Sequence, residues 1–328
     1  MIEHPQPPKK NHTTHLLPLI VLGVAFYQPF GFSPDYFQYE YFFDTLRQDI
    51  PGTIETSRFE PAFKYLSSLL VLFFTSDVLV FSLIATIAFS IKLATLNKYA
   101  CGYGLLIAIT FYTFRILPLH ELTQLRAALA SSFIVVAFFL SCSDQRKKTF
   151  IFLLAASLFH FSTILVAPLI LALTFKSLKN PRTLALAAAI IYITSGLIIS
   201  IGNQYFPSLQ MYETNLRTSA NPLSPVVILE ALTAIASLAF WKNLTEPMRR
   251  VIILQLFGLA IYYSFIDIPV ISSRGRELFS VLWIFFLSDL VGRSPWVQLL
   301  GGAFVATSIA LSIYLYFILD FFSPYYFS

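Results

Sequence analysis

Charged residues are scarce in this sequence. Only 12% of its 328 residues are Asp, Glu, Lys or Arg, whereas soluble globular domains carry about 25%. The deficit extends over almost the whole length, which excludes a sizeable soluble domain. Cysteine is nearly absent too: Cys101 and Cys142 are the two in the chain. Both are expected near helix ends on the cytoplasmic half, so no disulfide is predicted.

Several motifs of enzyme chemistry are also missing. The chain has no glycine-rich phosphate loop, no Cys/His cluster with metal-ligand spacing and no GxSxG sequence. It lacks the acidic pairs that hold a divalent metal in nucleotide-sugar transferases. We therefore expect no metal site, no cofactor and no nucleic-acid partner.

Apolar runs dominate the residues that are present. The chain is 57% hydrophobic with a mean hydropathy of +0.72, and a run of about 20 apolar residues crosses a bilayer as a helix. We predict an all-α polytopic membrane protein, a single integral membrane domain over 1–328, with about ten transmembrane helices plus re-entrant or amphipathic helices. The predicted helices are 16–32 (uncleaved), 78–96, 100–118, 122–142, 183–201, 224–241, 251–271, 278–292 and 296–319, with a shorter one at 61–74.

The positions of Lys and Arg predict the orientation, because basic loops stay in the cytoplasm. The basic tail 1–15 is then cytoplasmic, and Lys92, Asn97 and Lys98 mark the inner end of helix 78–96. The segment 33–77, a polar loop followed by the short helix, lies on the non-cytoplasmic face. The loop 202–223 and a tight SSRGRE turn at 272–277 lie on the same face.

The apolar run 149–175 has basic clusters at both ends. A single span would place one of these clusters outside. Two half-helices, 149–159 and 162–175, would keep both clusters inside and put His160 at the tip of a re-entrant hairpin. A helix of about 11 residues rises roughly 16 Å, half of a bilayer core. The pattern favours the hairpin, and a single span remains the alternative.

Arginines on the predicted outer face oppose the positive-inside trend. A guanidinium suits phosphate and diphosphate oxygens, so these arginines indicate an anionic, membrane-borne ligand. The residues favoured to bind this ligand are Arg126, at the start of an apolar helix, and Arg274 and Arg276, in the SSRGRE turn. The alternative is pairing with acids of the same loops. The expected substrate-binding set also includes Arg58, Glu121 and Arg217.

Three groups are candidates for a general base. His160 has an ordinary pKa near operating pH, although a lone histidine in an apolar run is as often a hydrogen-bonded packing residue. Glu60 and Asp35 are the other candidates, and each is equally well explained as a solvated carboxylate or a helix N-cap. Tyr36 and Tyr39 could stack on sugar rings, but an aromatic belt at the interface is the simpler interpretation.

Five short segments together resemble a known family. They are GFSPDYFQYEYFF, with Asp35, Tyr36 and Tyr39; FEPAFKYLSSL, which begins at Phe59; QLRAALASSF, with Arg126; ASLFHFSTILVAPL, with His160; and RELFSVLWIFFLSDL, with Arg276. In this order they resemble EpsG-like, Wzy-type bacterial polysaccharide polymerases.

The resemblance implies a glycosyltransferase of the bacterial inner membrane with a GT-C-like architecture and a periplasmic active site. Such enzymes act in O-antigen, capsule or exopolysaccharide assembly. They transfer a glycan chain from undecaprenyl diphosphate to a hydroxyl of the next lipid-linked repeat, without a metal. The implied partners are these lipid-linked oligosaccharides, membrane lipid and a chain-length regulator.

Three rival functions remain open at the level of sequence. A lipid-linked oligosaccharide flippase or other transporter would need a polar path across the whole bilayer, whereas the predicted charges gather on one face. An integral-membrane O-acetyltransferase tends to keep its catalytic histidine near a cytoplasmic acyl donor. A structural subunit of an export complex would need no active site.

Overall fold

The computed structural model describes residues 34–100, 102–174, 220–291 and 293–315, together with residues 20 and 23. Every regular element within these ranges is helical, which confirms the all-α prediction. The predicted helices 16–32 and 183–201 lie almost entirely or entirely outside the described residues. Most of the predicted loop 202–223, including Arg217, also lies outside them.

Within each described range, short connections join successive helices. They are α1 (Pro34–Gln48), α2 (Ile50–Thr56), α3 (Pro61–Phe73), α4 (Asp77–Tyr99), α5 (Gly102–Phe111), α6 (Leu117–His120), α7 (Leu125–Cys142), α8 (Arg146–Phe159), α9 (Ala167–Ala172), α10 (Pro225–Ala239), α11 (Glu246–Ser264), α12 (Pro269–Ser280), α13 (Trp283–Ser288) and α14 (Pro295–Ile313). A π-helical turn, Tyr112–Ile116, joins α5 to α6, and a 3₁₀ turn, Phe161–Leu165, precedes α9.

Four helices in the described ranges are long and apolar enough to cross a membrane. They are Asp77–Tyr99, Gly102–His120, Leu125–Cys142 and Pro295–Ile313, and they coincide with four predicted spans. The protein is therefore a helical membrane protein. The predicted span 278–292 is wrong as a single helix, because α12 ends at Ser280 and α13 covers only Trp283–Ser288.

The polar segment 33–60, predicted as a loop, is mostly helical. α1 buries Tyr39, Phe42, Phe43 and Leu46 on one face, the spacing of an amphipathic helix. α2 begins with Asp49 as its N-cap, because the carboxylate accepts a hydrogen bond from the Gly52 amide at 3.1 Å. The high polarity of the segment concealed these helices, since one face of each remains exposed.

The predicted SSRGRE turn is also a helix, because these residues lie within α12. Its Ser and Gly residues suggested a turn, but Gly275 serves helix packing. A Cβ at Gly275 would lie 2.8 Å from Cγ2 of Ile261 on α11. The glycine therefore allows the two helices to approach closely.

The run 149–175 breaks at His160. His160 has an extended backbone (φ −158°, ψ 114°) between α8 and the 3₁₀ turn. The chain then folds back, because Thr174 lines the same surface pocket as Arg146, Lys147 and Lys148. The first arm, α8, covers the predicted half-helix 149–159, whereas the second arm is a 3₁₀ turn followed by the short α9. The re-entrant position of this hairpin in the membrane stays a prediction.

α7 lies at the centre of the described fold and packs against α4 and α8. Its first half is rich in Ala and Ser, small residues that let membrane helices approach closely. The Ser132 hydroxyl donates to the Ala88 carbonyl of α4 at 2.8 Å. This close packing holds Arg126, at the start of α7, in a fixed position.

Candidate active site

The ends of several helices meet around the carboxylate of Glu60. Glu60 precedes Pro61 at the start of α3 and is only 3% exposed. Its Oε2 accepts a hydrogen bond from Arg126 Nη1 at 2.9 Å. Its Oε1 lies 3.2 Å from His160 Nδ1 and 3.3 Å from the Phe161 amide nitrogen, which donates to it. One buried carboxylate therefore joins α3, α7 and the hairpin tip.

These contacts keep Glu60 ionised. Burial by itself would raise the pKa of Glu60, but the hydrogen bond with His160 and the positive charge of Arg126 outweigh it and lower the pKa to about 2. Glu60 and His160 both lie outside the four candidate spans. Glu60 is thus an acceptor at neutral pH and a poor proton-abstracting base, and its side chain caps no amide of α3.

The ionised Glu60 determines the tautomer of His160. Because the carboxylate only accepts, the proton of a neutral imidazole is expected on Nδ1. The second nitrogen, Nε2, then carries a lone pair and has no hydrogen-bond partner among the described residues. Burial lowers the pKa of His160 despite the opposing effect of Glu60. Glu60 therefore orients the imidazole of His160, and the lowered pKa favours its neutral form.

Arg126 is held between Glu60 and an aromatic wall. Its guanidinium carbon lies 4.7 Å from the ring centroid of Phe59, within cation–π range. Its Nε has no acceptor in the described ranges. Arg126 Nη1 is therefore held by Glu60, while its buried Nε keeps an N–H without a hydrogen-bond partner there.

Tyr36 and Tyr39, predicted to stack on sugars, are packed into the protein. Tyr39 is 3% exposed and its ring contacts those of Phe59 and Phe63. Burial raises its pKa, although nearby Arg126 opposes the shift. Tyr36 packs against Phe81. These rings face the core because they lie on the apolar stripe of α1.

Asp35 and Arg274 form a second charged pair beside this cluster. Arg274 Nη2 donates to Asp35 Oδ2 at 3.3 Å, which joins α12 to the start of α1. α12 also packs against the 3₁₀ turn after His160, and the charge of Arg274 helps to lower the pKa of His160 after burial and Arg126. Asp35 is thus an ion-pair partner, and Arg274 is electrostatically coupled to His160.

Arg276 points elsewhere, although the sequence paired it with Arg274. Residues two apart on an α-helix are rotated by about 200°, whereas a tight turn would have kept them together. Arg276 Nη1 donates to Glu230 Oε2 at 2.6 Å, and Ser280 Oγ donates to Glu230 Oε1 at 2.9 Å. The structure therefore gives Arg276 a buried ion pair between α10 and α12, and its predicted substrate contact stays a prediction.

Glu121 and Arg58 likewise have partners within the protein. Glu121 is fully buried and forms an ion pair with Lys92. Of the residues predicted to mark the end of this helix, Lys92 is therefore packed inside the protein, whereas Lys98 does lie in the last turn of α4. Arg58 Nη2 donates to the Gln38 side-chain oxygen at 2.8 Å. Neither contact joins the Glu60 cluster, although Arg58 is two residues away in sequence.

Two partners of these arginine and glutamate residues were missed from the sequence. Lys92 lies well inside the apolar run 78–96, and Glu230 lies inside the run 224–241. An ionisable residue within an apolar helix is the signal that could have identified them. The described residues contain no group of three His, Cys, Asp or Glu side chains that could hold a metal ion.

The family comparison covers nearly the whole chain. The model of the EpsG family matches residues 14–327, a range that contains Glu60, Arg126, His160 and Arg274. Searches of curated proteins and of solved structures return no significant match. Because the family match extends over far more than half of the sequence, the chain belongs to the EpsG family.

Proposed function

We propose that the protein is a polysaccharide polymerase that transfers an undecaprenyl-diphosphate-linked glycan chain onto a hydroxyl of the next lipid-linked repeat. Membership of the EpsG family indicates a polymerase-type glycosyltransferase with lipid-linked oligosaccharide substrates. The observation that carries the finer proposal is the Glu60–His160–Arg126 constellation. It combines a neutral oriented base with a cation in a partly buried setting.

His160 is the proposed general base. Its Nε2 takes the proton from the acceptor hydroxyl as that oxygen attacks the anomeric carbon of the donor sugar. The bond between this carbon and the diphosphate oxygen breaks, and the diphosphate leaves with the electron pair. Glu60 orients the imidazole and stabilises the imidazolium that forms, as a carboxylate does for other catalytic histidines.

Arg126 and Arg274 are the proposed ligands of the diphosphate. Negative charge grows on the leaving group in the transition state, so fixed cations lower the barrier electrostatically. Among the described residues, Arg126 Nε has no hydrogen-bond partner, and Arg274 Nη1 has none either, although Glu277 Oε2 lies 4.0 Å from it as an ion-pair partner. Asp35 would then hold the guanidinium of Arg274 in position through their ion pair, rather than act as the general base.

The site is proposed to face the periplasm of a protein with about ten spans in the bacterial inner membrane. Three features support this placement: the basic tail 1–15, the basic residues 146–148 on the side of the hairpin away from His160, and the four apolar helices. A GT-C-like architecture and a chain-length regulator as partner belong to the same proposal.

A purified-enzyme assay tests this function. The protein is reconstituted with a synthetic undecaprenyl-diphosphate-linked repeat, and products are separated by length. His160→Ala should lower kcat by about 100-fold or more, the usual contribution of a general base. Lys147→Ala, an exposed cation of the basic cluster, is the control and should retain wild-type activity.

Two results would contradict the proposal. The first is a wild-type protein that moves the lipid-linked repeat across sealed vesicles without lengthening it, as a transporter would. The second is undiminished chain lengthening by both His160→Ala and Arg126→Lys. An acetylated product formed from an acyl donor would instead identify the acetyltransferase alternative.

A further inference from the structure

A cavity of about 600 Å³ lies beside the candidate active site, between α1, α2 and the segment 57–59. Its volume is within the range of about 300–1,000 Å³ that small-molecule sites occupy. Phe59 is shared by the two sites, because it lines the cavity while the guanidinium carbon of Arg126 lies 4.7 Å from its ring centroid. A ligand in the cavity would therefore lie one ring away from the Glu60–His160 pair.

Hydrogen bonds within the protein leave the cavity rich in acceptors. The Thr53 hydroxyl donates to the Thr45 carbonyl at 3.0 Å, and the Thr56 hydroxyl donates to the Gly52 carbonyl at 2.8 Å. Their protons are thus committed, while the hydroxyl oxygens can still accept. The cavity therefore offers acceptors to a ligand that carries many O–H groups.

Donors are supplied by Arg58 and Gln38. Arg58 Nη2 donates to the Gln38 side-chain oxygen at 2.8 Å, which fixes the amide so that its nitrogen is a donor. Arg58 and Gln38 both line the cavity, and the guanidinium of Arg58 has further N–H donors. Donors and acceptors lie side by side, an arrangement suited to hydroxyls that donate and accept at once.

Tyr41 provides an aromatic surface at this cavity. Its ring is 73% exposed, whereas Tyr39, Phe42 and Phe43 on the same helix are buried. Tyr41 lines the cavity together with Phe42. An exposed ring beside polar groups suits a ligand with both apolar C–H faces and hydroxyls, since one surface is apolar and the rest is polar.

We propose that this cavity binds sugars of the lipid-linked glycan next to the reacting sugar. The inference rests on the proposed polymerase function and assigns the glycan-binding role to Tyr41, Gln38 and Arg58. It moves that role away from the buried Tyr36 and Tyr39. The sugar chain would pass from the cavity across Phe59 to His160.

The test uses full-length protein in detergent and two probes. One is the repeat-unit oligosaccharide released from its lipid by mild acid, with binding measured by calorimetry. The other is the intact lipid-linked repeat, with KM and kcat measured by chain lengthening. Tyr41→Ala and Arg58→Met should each raise Kd and KM by about three- to tenfold with kcat unchanged, the effect expected when one aromatic or polar contact is lost. Tyr103→Ala, which removes a tyrosine 77% exposed on α5, is the control and should change neither value.

The outcomes separate this inference from the polymerase proposal. If the wild type lengthens the lipid-linked repeat but both cavity variants keep wild-type Kd and KM, the cavity assignment is overturned and the polymerase stands. If the wild type binds the released oligosaccharide through Tyr41 and Arg58 but lengthens nothing, the cavity stands and the polymerase fails. A loss of kcat at constant KM in both variants would also overturn the binding role.

Discussion

At the scale of single residues, Glu60 organises the candidate site. Donors from α7 and from the hairpin tip converge on its two oxygens, and although burial opposes them, His160 and Arg126 lower its pKa to about 2. The sequence offered Glu60, Asp35 and His160 as equal candidates for the base. Geometry separates them, because Glu60 and Asp35 are paired with arginines while His160 Nε2 has no partner in the described residues.

The acid limb of the pH profile of kcat/KM should reflect the pKa of His160. Because its pKa is lowered from 6.5, the neutral base persists below pH 6.5, and activity should fall only at a lower pH. Replacing Glu60 by Gln removes a negative charge that raises this pKa. The acid limb should therefore move to still lower pH, while kcat falls because the imidazole loses its orientation.

The measurement is a profile of both proteins against the lipid-linked repeat between pH 4.5 and 8. A shift of the acid limb to higher pH in Glu60→Gln would contradict the assigned pair. Asp44→Asn, which changes an exposed carboxylate of α1 away from His160, is the control and should leave the limb unchanged.

Stability should depend on Glu60 in acid. Its carboxylate has a lower pKa in the folded protein than its ordinary value of 4.5, so the stabilisation is present above pH 4.5 and is lost as the pH falls towards 2. A shift of this size corresponds to on the order of 3 kcal/mol. Thermal melts in detergent should show the wild type losing more stability than Glu60→Gln over this interval, and parallel losses would contradict the linkage.

At the scale of elements, the hydrophobic pattern predicted the long apolar helices well, but it missed the polar helices and the break between α12 and α13. Helices 61–74, 78–96 and 122–142 appear as α3, α4 and α7, since long apolar runs have few alternatives in a membrane. The SSRGRE segment was mistaken for a turn because its glycine was interpreted locally. The glycine is required instead by its close approach to Ile261 on α11, the preceding helix.

Gly275→Ala should therefore weaken the packing of α12 on α11. The added methyl would lie 2.8 Å from Ile261 Cγ2, and overpacking of this kind typically costs about 1–3 kcal/mol. Activity should fall as well, because α12 carries Arg274. Thermal melts of Gly275→Ala, Ile261→Ala and the double variant measure the coupling, since neighbouring sites deviate from additivity.

The double variant should recover part of the stability that Gly275→Ala loses, because Ile261→Ala removes the Cγ2 methyl. Gly302→Ala is the matched control: a Cβ there would meet no atom within 4 Å. Strictly additive losses in the double variant would show that the two residues do not clash.

At the scale of the whole molecule, the basic cluster and the candidate site lie at opposite ends of the hairpin. The basic residues 146–148 and Thr174 lie at one end of the hairpin, and His160 lies at its other end with Glu60 and Arg126. Helices α1 and α2, which are not candidate spans, adjoin the Glu60 end. Because basic residues favour the cytoplasm, this arrangement is the basis for proposing that the site lies on the periplasmic face.

Cysteine labelling should locate the two ends. In a Cys101→Ser/Cys142→Ser background, Tyr41→Cys should react with a membrane-impermeant maleimide in intact spheroplasts. Lys147→Cys should react only after permeabilisation, because basic loops stay inside. Both positions are exposed, so accessibility reports the side of the membrane, and the opposite pattern would invert the proposed topology.

The sequence by itself determined the class of protein, because hydropathy and charge act locally along the chain. It also singled out Arg126, His160 and Glu60, since ionisable residues beside apolar runs are costly and conspicuous. Only the tertiary structure decided how they act. Glu60 meets Arg126 and His160 across 66 and 100 residues of sequence, and the two arginines of α12 diverge because that segment is a helix. Ionisation and hydrogen bonding depend on what approaches a group in space, which residue spacing does not specify.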